Sequence, residues 1–122
     1  MPAPLTRPRP PILIGGGGLR KTLLLVARYA DACNLFASSP EEVAPNLDAL
    51  RSHCEAEGRD YDAISKTVLY EGPVLDRNPD EFVADVQCYA ALGVSQLGVM
   101  PDRDPVEYTE RVAEIVPRLA DL

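Results

Sequence analysis

Three times along the chain a capping side chain, a proline and an acid stand in the same order: Ser39-Pro40-Glu41-Glu42, Asn78-Pro79-Asp80-Glu81 and Asp104-Pro105-Val106-Glu107. The cap offers an oxygen to amides that have no intrahelical acceptor. Proline at the first helical position gives up a donor that has no partner there, and the acid faces the positive end of the helix dipole. Each tetrad therefore starts a helix. Behind the first, Val43, Leu47, Leu50 and Cys54 form one apolar stripe, and Gly58 offers the left-handed conformation that ends helices. Behind the second run Phe82, Val83, Val86 and Ala90, with Gly93 as terminator. Behind the third run Tyr108, Val112, Ile115 and Leu119, where Pro117 predicts a kink or an early end. A further helix is expected from Arg20 to near Tyr29, because Leu23, Val26, Ala27 and Ala30 recur on one face.

Short apolar runs of strand length precede these helices: Ile12-Leu13-Ile14, the segment from Ala32 to Phe36, Lys66 to Tyr70, and Gln96 to Met100. The first reads as a buried parallel strand cut off by glycines. Ahead of it, residues 1–11 form a proline-rich lead-in whose Pro2, Pro4, Pro8, Pro10 and Pro11 remove donors and fix φ, so neither a sheet interior nor a helix is expected there. Residues 12–122 then repeat β-α four times, which implies parallel strands joined by right-handed crossovers. Half of a (βα)8 barrel and a doubly wound open sheet both satisfy that pattern, and both bind ligands beyond the C-terminal ends of the strands. Attention falls on Gly15 to Thr22, Leu35 to Ser38, Tyr70 to Asp76 and Met100 to Asp104.

A net charge of -7 and a pI of about 4.6 argue against nucleic acid and anionic membrane surfaces as partners. No apolar run approaches the roughly 20 residues of a membrane span, and the start lacks the apolar stretch of a secretory signal, so a cytoplasmic address is expected. Cys33, Cys54 and Cys88 are widely spaced, without a Cys-x-x-Cys pair, and are expected to be reduced and packed as small apolar residues.

Gly15, Gly16, Gly17 and Gly18 stand between a strand and a helix, where they expose backbone amides with no side chain in the way. Arg20 and Lys21 at the helix start are unfavourable to the dipole unless something negative sits nearby, and a bound phosphate removes that conflict. Thr22 adds a hydroxyl to the same place. The alternative is that the glycines only allow a sharp turn and close helix-to-strand packing. Neither named phosphate motif fits: no glycine precedes Lys21 as in a phosphate loop, and Arg20 stands where a dinucleotide fingerprint needs glycine.

The run Pro11-Ile12-Leu13-Ile14-Gly15-Gly16-Gly17-Gly18, followed by Arg20-Lys21-Thr22 and Ala27-Arg28-Tyr29-Ala30-Asp31-Ala32, resembles the luciferase-like monooxygenase family. The likeness extends through the helix leading into Gly58-Arg59-Asp60 and the segment from Gly93 to Val99, and within the family it is nearest to members using the deazaflavin coenzyme F-420 rather than FMN. It implies a flavin/deazaflavin-dependent oxidoreductase of TIM-barrel fold, of which this chain carries the C-terminal half. Gly16, Gly17 and Gly18, with Arg20 and Thr22, would line the coenzyme phosphate at the fifth barrel strand. Asp31 and Asn34 match the family's Ala-Asp-Gly-Trp-Asn segment, but Ala32 and Cys33 replace its glycine and aromatic residue, and Leu19 stands where proline is common. Much of the substrate pocket belongs to the first four βα units, so catalysis by this chain alone is not expected, and no catalytic residue is assigned.

Other polar residues carry weaker signals. His53 has only Glu57 at i+4, which predicts a solvated or half-buried helix residue rather than a metal ligand. Glu71 and Asp76 flank Gly72-Pro73 at the ligand end, Tyr70 is expected to pack there, and Glu55, Glu57, Asp60 and Asp62 read as a solvated face. Three functions remain open. The first is an oxidoreductase half that needs a complementary N-terminal half-barrel or a partner chain. The second is a non-catalytic half-barrel forming a homo-oligomer through its exposed sheet edges. The third, a phosphate-binding lyase or isomerase fragment, leaves the Ala-Arg-Tyr-Ala-Asp segment unexplained.

Overall fold

Four strands pair in chain order, all parallel, in a computed structural model that describes residues 9–70, 78–101 and 104–120. The elements run β1 (Leu13–Gly15), α1 (Thr22–Tyr29), β2 (Ala32–Ala37), α2 (Pro40–Glu57), β3 (Ser65–Tyr70), α3 (Pro79–Ala91), β4 (Gln96–Gly98) and α4 (Pro105–Ile115), with short 3-10 turns at Tyr61–Ala63 and Val116–Leu119. This is the parallel α/β arrangement expected from the βα alternation. Residues 1–8 of the proline-rich lead-in and the candidate pair Glu71 and Asp76 lie outside the described residues.

The helix starts follow the tetrads, but their caps differ. Asn78 accepts from the Glu81 amide and Asp104 from the Val106 amide. Ser39 makes no side-chain cap; Glu42 instead reaches back past it to accept from the Ser38 amide at 3.0 Å, one residue before the N-cap. Gly58, at φ 68°, closes α2 in the left-handed conformation. At Pro117 the last helix has already tightened into a 3-10 turn.

One core lies on one side of the sheet. Cys33, Leu35 and Ala37 of β2 and Val68 and Tyr70 of β3 point toward the helices and pack with Leu23, Val26, Val43, Leu47, Leu50 and Cys54. The opposite face is open, with Leu13 58% and Phe36 51% exposed. The first strand thus differs from the buried one expected: β1 is an edge, paired only with β2, and only Ile14 turns inward to the core. On α3 the buried position is Tyr89 and not Ala90, because the stripe rotates to set Tyr89 edge-on to Tyr70, ring centroids 6.3 Å apart. Cys33 and Cys54 pack as small apolar residues, whereas Cys88 is exposed. Among the described residues, no helix is long and apolar enough to cross a membrane.

The Tyr70 hydroxyl donates to Asp85 at 2.8 Å, so this tyrosine serves the core. The Tyr89 hydroxyl is buried without a partner among the described residues, and burial beside Asp85, Glu42 and Glu41 pushes its pKa up from 10.0 to about 12. The folded chain holds that proton longer than the unfolded one. Its contribution is full below pH 10 and is lost as the pH rises toward 12. Tyr89→Phe is expected to be neutral or stabilising by up to ~1 kcal/mol at pH 7, since it removes an unsatisfied hydroxyl, and to flatten the alkaline loss. Urea unfolding of both chains at pH 7 and pH 11 measures this; a clear destabilisation at pH 7 would show that the hydroxyl is satisfied.

Candidate functional site

The glycine run leaves the C-terminal end of β1 and wraps over the start of α1. Gly15 still belongs to the strand, opposite Asn34, and the Gly16 amide continues the ladder by donating to the Asn34 carbonyl at 3.0 Å. Gly16 then takes φ 115°, which L side chains rarely adopt. A Cβ on Gly18 would meet Thr22 Oγ1 at 2.9 Å, so the hydroxyl sits hard against the turn. Sharp turning and close packing therefore do explain two of the glycines. They do not explain the row of bare donors beside them: among the described residues the amides of Gly17, Gly18, Leu19, Arg20, Lys21 and Thr22 have no acceptor.

Charge reinforces that surplus of donors. Helices α2, α3 and α4 each carry an acid in the first turn, whereas α1 carries none and begins beside exposed Arg20 and Lys21, which have no acidic partner among the described residues. The structure thus brings Gly15, Gly16, Gly17, Gly18, Arg20 and Thr22 to one end of the sheet. Free amides, two cations and a hydroxyl there suit a compact anion such as a phosphate.

Two residues that the sequence did not mark as part of this turn come from α2. Asn46 points its amide at Gly17, where a Cβ would lie 3.1 Å from Nδ2, and it has no hydrogen-bond partner among the described residues. The His53 ring donates from Nε2 to the Leu19 carbonyl at 2.7 Å, tying the turn to the helix. The two are seven residues apart, hence on one helix face, and that spacing beside the apolar stripe was the signal available. His53 is half-buried, one of the two placements its position allowed. Among the described residues no three His, Cys, Asp or Glu side chains come together as a metal site.

Asp31 is not part of this end. It precedes β2, accepts from the Ile12 amide at 2.8 Å and pairs with Arg9 at 2.6 Å, and these bonds hold its carboxyl below the usual carboxylate range. The Gly58-Arg59-Asp60 segment is likewise structural: Arg59 donates to the Ala27 and Ala30 carbonyls at 3.2 and 2.7 Å, closing the C-terminus of α1, while Asp60 caps the Tyr61–Ala63 turn. Glu57 pairs with Arg28 at 3.0 Å, so the acidic cluster is not wholly a solvated face.

Two hollows of about 410 and 450 Å³ open at the N-terminal end of the sheet, away from the glycine turn. Neither suits a ligand as well. The first is lined by the Arg28–Glu57 pair and Arg59, and in the second Arg51 and Lys66 already stack on the Tyr61 ring, at 4.7 and 3.6 Å.

No family model and no curated protein matches this sequence. Among solved structures the fold is similar to the coenzyme F-420-dependent tetrahydromethanopterin reductase from Methanopyrus kandleri, with a TM-score of 0.70 at 16% identity over 89% of this chain and 51% of that one. The chain spans about half the length of that neighbour, and the likeness is one of fold: half of a TIM-type barrel.

Gly16→Ala is expected to cost about 1–2 kcal/mol, because alanine is strained at positive φ. Gly15→Ala, whose Cβ would meet nothing nearer than the Asn34 carbonyl at 4.0 Å, is expected to cost far less. Urea midpoints of the two variants check this; equal losses would mean that the positive φ of Gly16 is not what demands glycine there.

Proposed function

We propose that this chain is the phosphate-holding half of a luciferase-like flavin- or deazaflavin-dependent oxidoreductase. The observation that carries the reading is the row of six unpaired amides from Gly17 to Thr22 beside Arg20 and Lys21. The sequence resemblance and the fold of the F-420-dependent neighbour favour the deazaflavin coenzyme, with FMN as the alternative. Such a coenzyme supplies hydride transfer when bound, while the protein binds and orients it. Gly16, Gly17 and Gly18 bring the backbone close, Arg20 and Thr22 add charge and a hydroxyl, and Asn46 adds an amide from the side. Free Cys33 and Cys54 fit a cytoplasmic, reducing setting for the protein.

The open face of the sheet requires a partner in this reading. Edge strands β1 and β4 each leave one ladder unpaired in the described residues, and Leu13 and Phe36 are exposed on that face. A complementary half-barrel, either four further βα units or a second copy, would cover both edges and complete the site. The same exposed edges favour the second reading, a non-catalytic half-barrel that dimerises; in that case the turn binds no coenzyme.

Titration of the purified chain with coenzyme F-420 and with FMN, followed by fluorescence, separates the two. Saturable binding is expected, weakened at least about tenfold in Gly17→Asp, because the added carboxylate repels the phosphate and fills its approach. Binding should also weaken as salt rises. Equal affinity in wild type and variant would remove the phosphate from the turn.

A further inference from the structure

Lys66 stands in the row of β2 and β3 residues that face the helices, beside Cys33, and is only 6% exposed. Lysine is almost never buried so fully unless it is paired. Among the described residues its ammonium forms no ion pair with a carboxylate. It donates instead to the Tyr61 carbonyl at 2.6 Å and lies 3.6 Å from the centre of the Tyr61 ring. A carbonyl and a ring face offset only part of the cost of taking an ammonium out of water. Burial therefore holds the Lys66 pKa below the ordinary lysine range. Arg51 of α2 pushes the same way, while Asp62 of the 3-10 turn and the buried thiols of Cys33 and Cys54 oppose it. Ala91, Leu92, Gly93 and Ser95, which come from α3 and the segment after it, add no titratable group.

The amine is reachable in spite of its burial. Lys66 lines the hollow of about 450 Å³ at the N-terminal end of the sheet, together with Tyr61, Arg51 and Ala91. The contacts with Tyr61 that leave little room for a reversible ligand there hold the amine in one place. Arg51 contributes an exposed positive charge to the same wall, and Asp48, 3.9 Å from it, offsets that charge only in part. A desolvated lysine keeps more of its neutral, nucleophilic form, and the cation beside it attracts an anionic reagent.

We propose that Lys66 is an acylation site, whose side-chain amine takes an acyl group from a small acyl phosphate entering through this hollow. The site lies at the opposite end of the sheet from the glycine turn and does not depend on the phosphate reading. The amine lone pair attacks the carbonyl carbon, the bond from that carbon to the phosphate oxygen breaks, and inorganic phosphate leaves with the electron pair. The surplus proton on nitrogen passes to water. Arg51 draws the phosphate group in, and the product is a neutral amide against the Tyr61 ring. Folding favours that product, because it no longer buries an unpaired charge.

The test treats the folded chain, and the chain unfolded in urea, with acetyl phosphate from pH 6 to pH 11. Peptide mass spectrometry follows Lys21 and Lys66, the two lysines of the sequence. In the folded chain Lys66 is expected to be acetylated, and to reach half its maximal rate at a lower pH than the same lysine in the unfolded chain. Ala91→Trp, at an exposed position lining the hollow, is expected to slow Lys66 at least about tenfold, ~1.4 kcal/mol of barrier, and to leave Lys21 unchanged. Circular dichroism reports the fold of the variant, and the wild-type comparison needs no variant at all. Acetylation of Lys21 alone in the folded chain, or a half-maximal pH for Lys66 that folding does not lower, overturns the proposal. So does an Ala91→Trp chain that labels Lys66 as fast as wild type, or one that slows both lysines alike.

Discussion

Parallel pairing of β2 with β3 is the constraint on which the rest of the architecture depends. Six residues of each strand pair in register, and a parallel partner can be reached only by a crossover, here α2 and the turn after it. Right-handed crossovers place every helix on the same side. The core therefore has one wall of sheet and one of helix, with α2 supplying Val43, Leu47, Leu50 and Cys54 as its longest contribution. The same rule that closes one face leaves the other bare, and it carries the loops after β1 and β2 to one end. The site and the open face are two results of one topology.

The sequence made the local features legible. Cap, proline and acid act within one turn of helix, so the starts of α2, α3 and α4 were readable, as were the αL stop at Gly58 and the early end before Pro117. Burial of β1 was not readable, because Ile12-Leu13-Ile14 looks the same whether it lies at an edge or in a sheet interior. Tyr89 replaced Ala90 for a related reason: one helix stripe does not reveal which neighbour it will meet. For the candidate site, the turn itself was visible as a glycine run. Asn46 and His53 were hidden, since each reaches the turn from about thirty residues away through the packing of α1 on α2. Asp31 was given no role from the sequence beyond its match to a family segment. That match groups it with Asn34 in sequence, whereas in the fold it precedes β2 and sits at the other end of the strand.

A chain of net charge -7 is an unpromising host for the phosphate proposed here, and distance within the fold separates most of that charge from the glycine turn. At physiological salt a charge is felt over about 8 Å, whereas the six residues of β2 separate its two ends by roughly 17–20 Å. Asp31 and Asp60 lie at the far end, where one is paired with Arg9 and the other caps a turn; Glu57 is paired with Arg28. At the near end the acids of α2 and α3 stand in first turns, where they offset their own helix dipoles. Helix α1 alone lacks that offset, so its dipole, its free amides and Arg20 and Lys21 add with the same sign. The long-range field of the protein disfavours anions, while the field within one Debye length of Gly17 favours them. In the proposed reading, that difference in range would favour a tethered phosphate over bulk polyanions: a small ligand enters the local field, and a long charged polymer must also cross the rest.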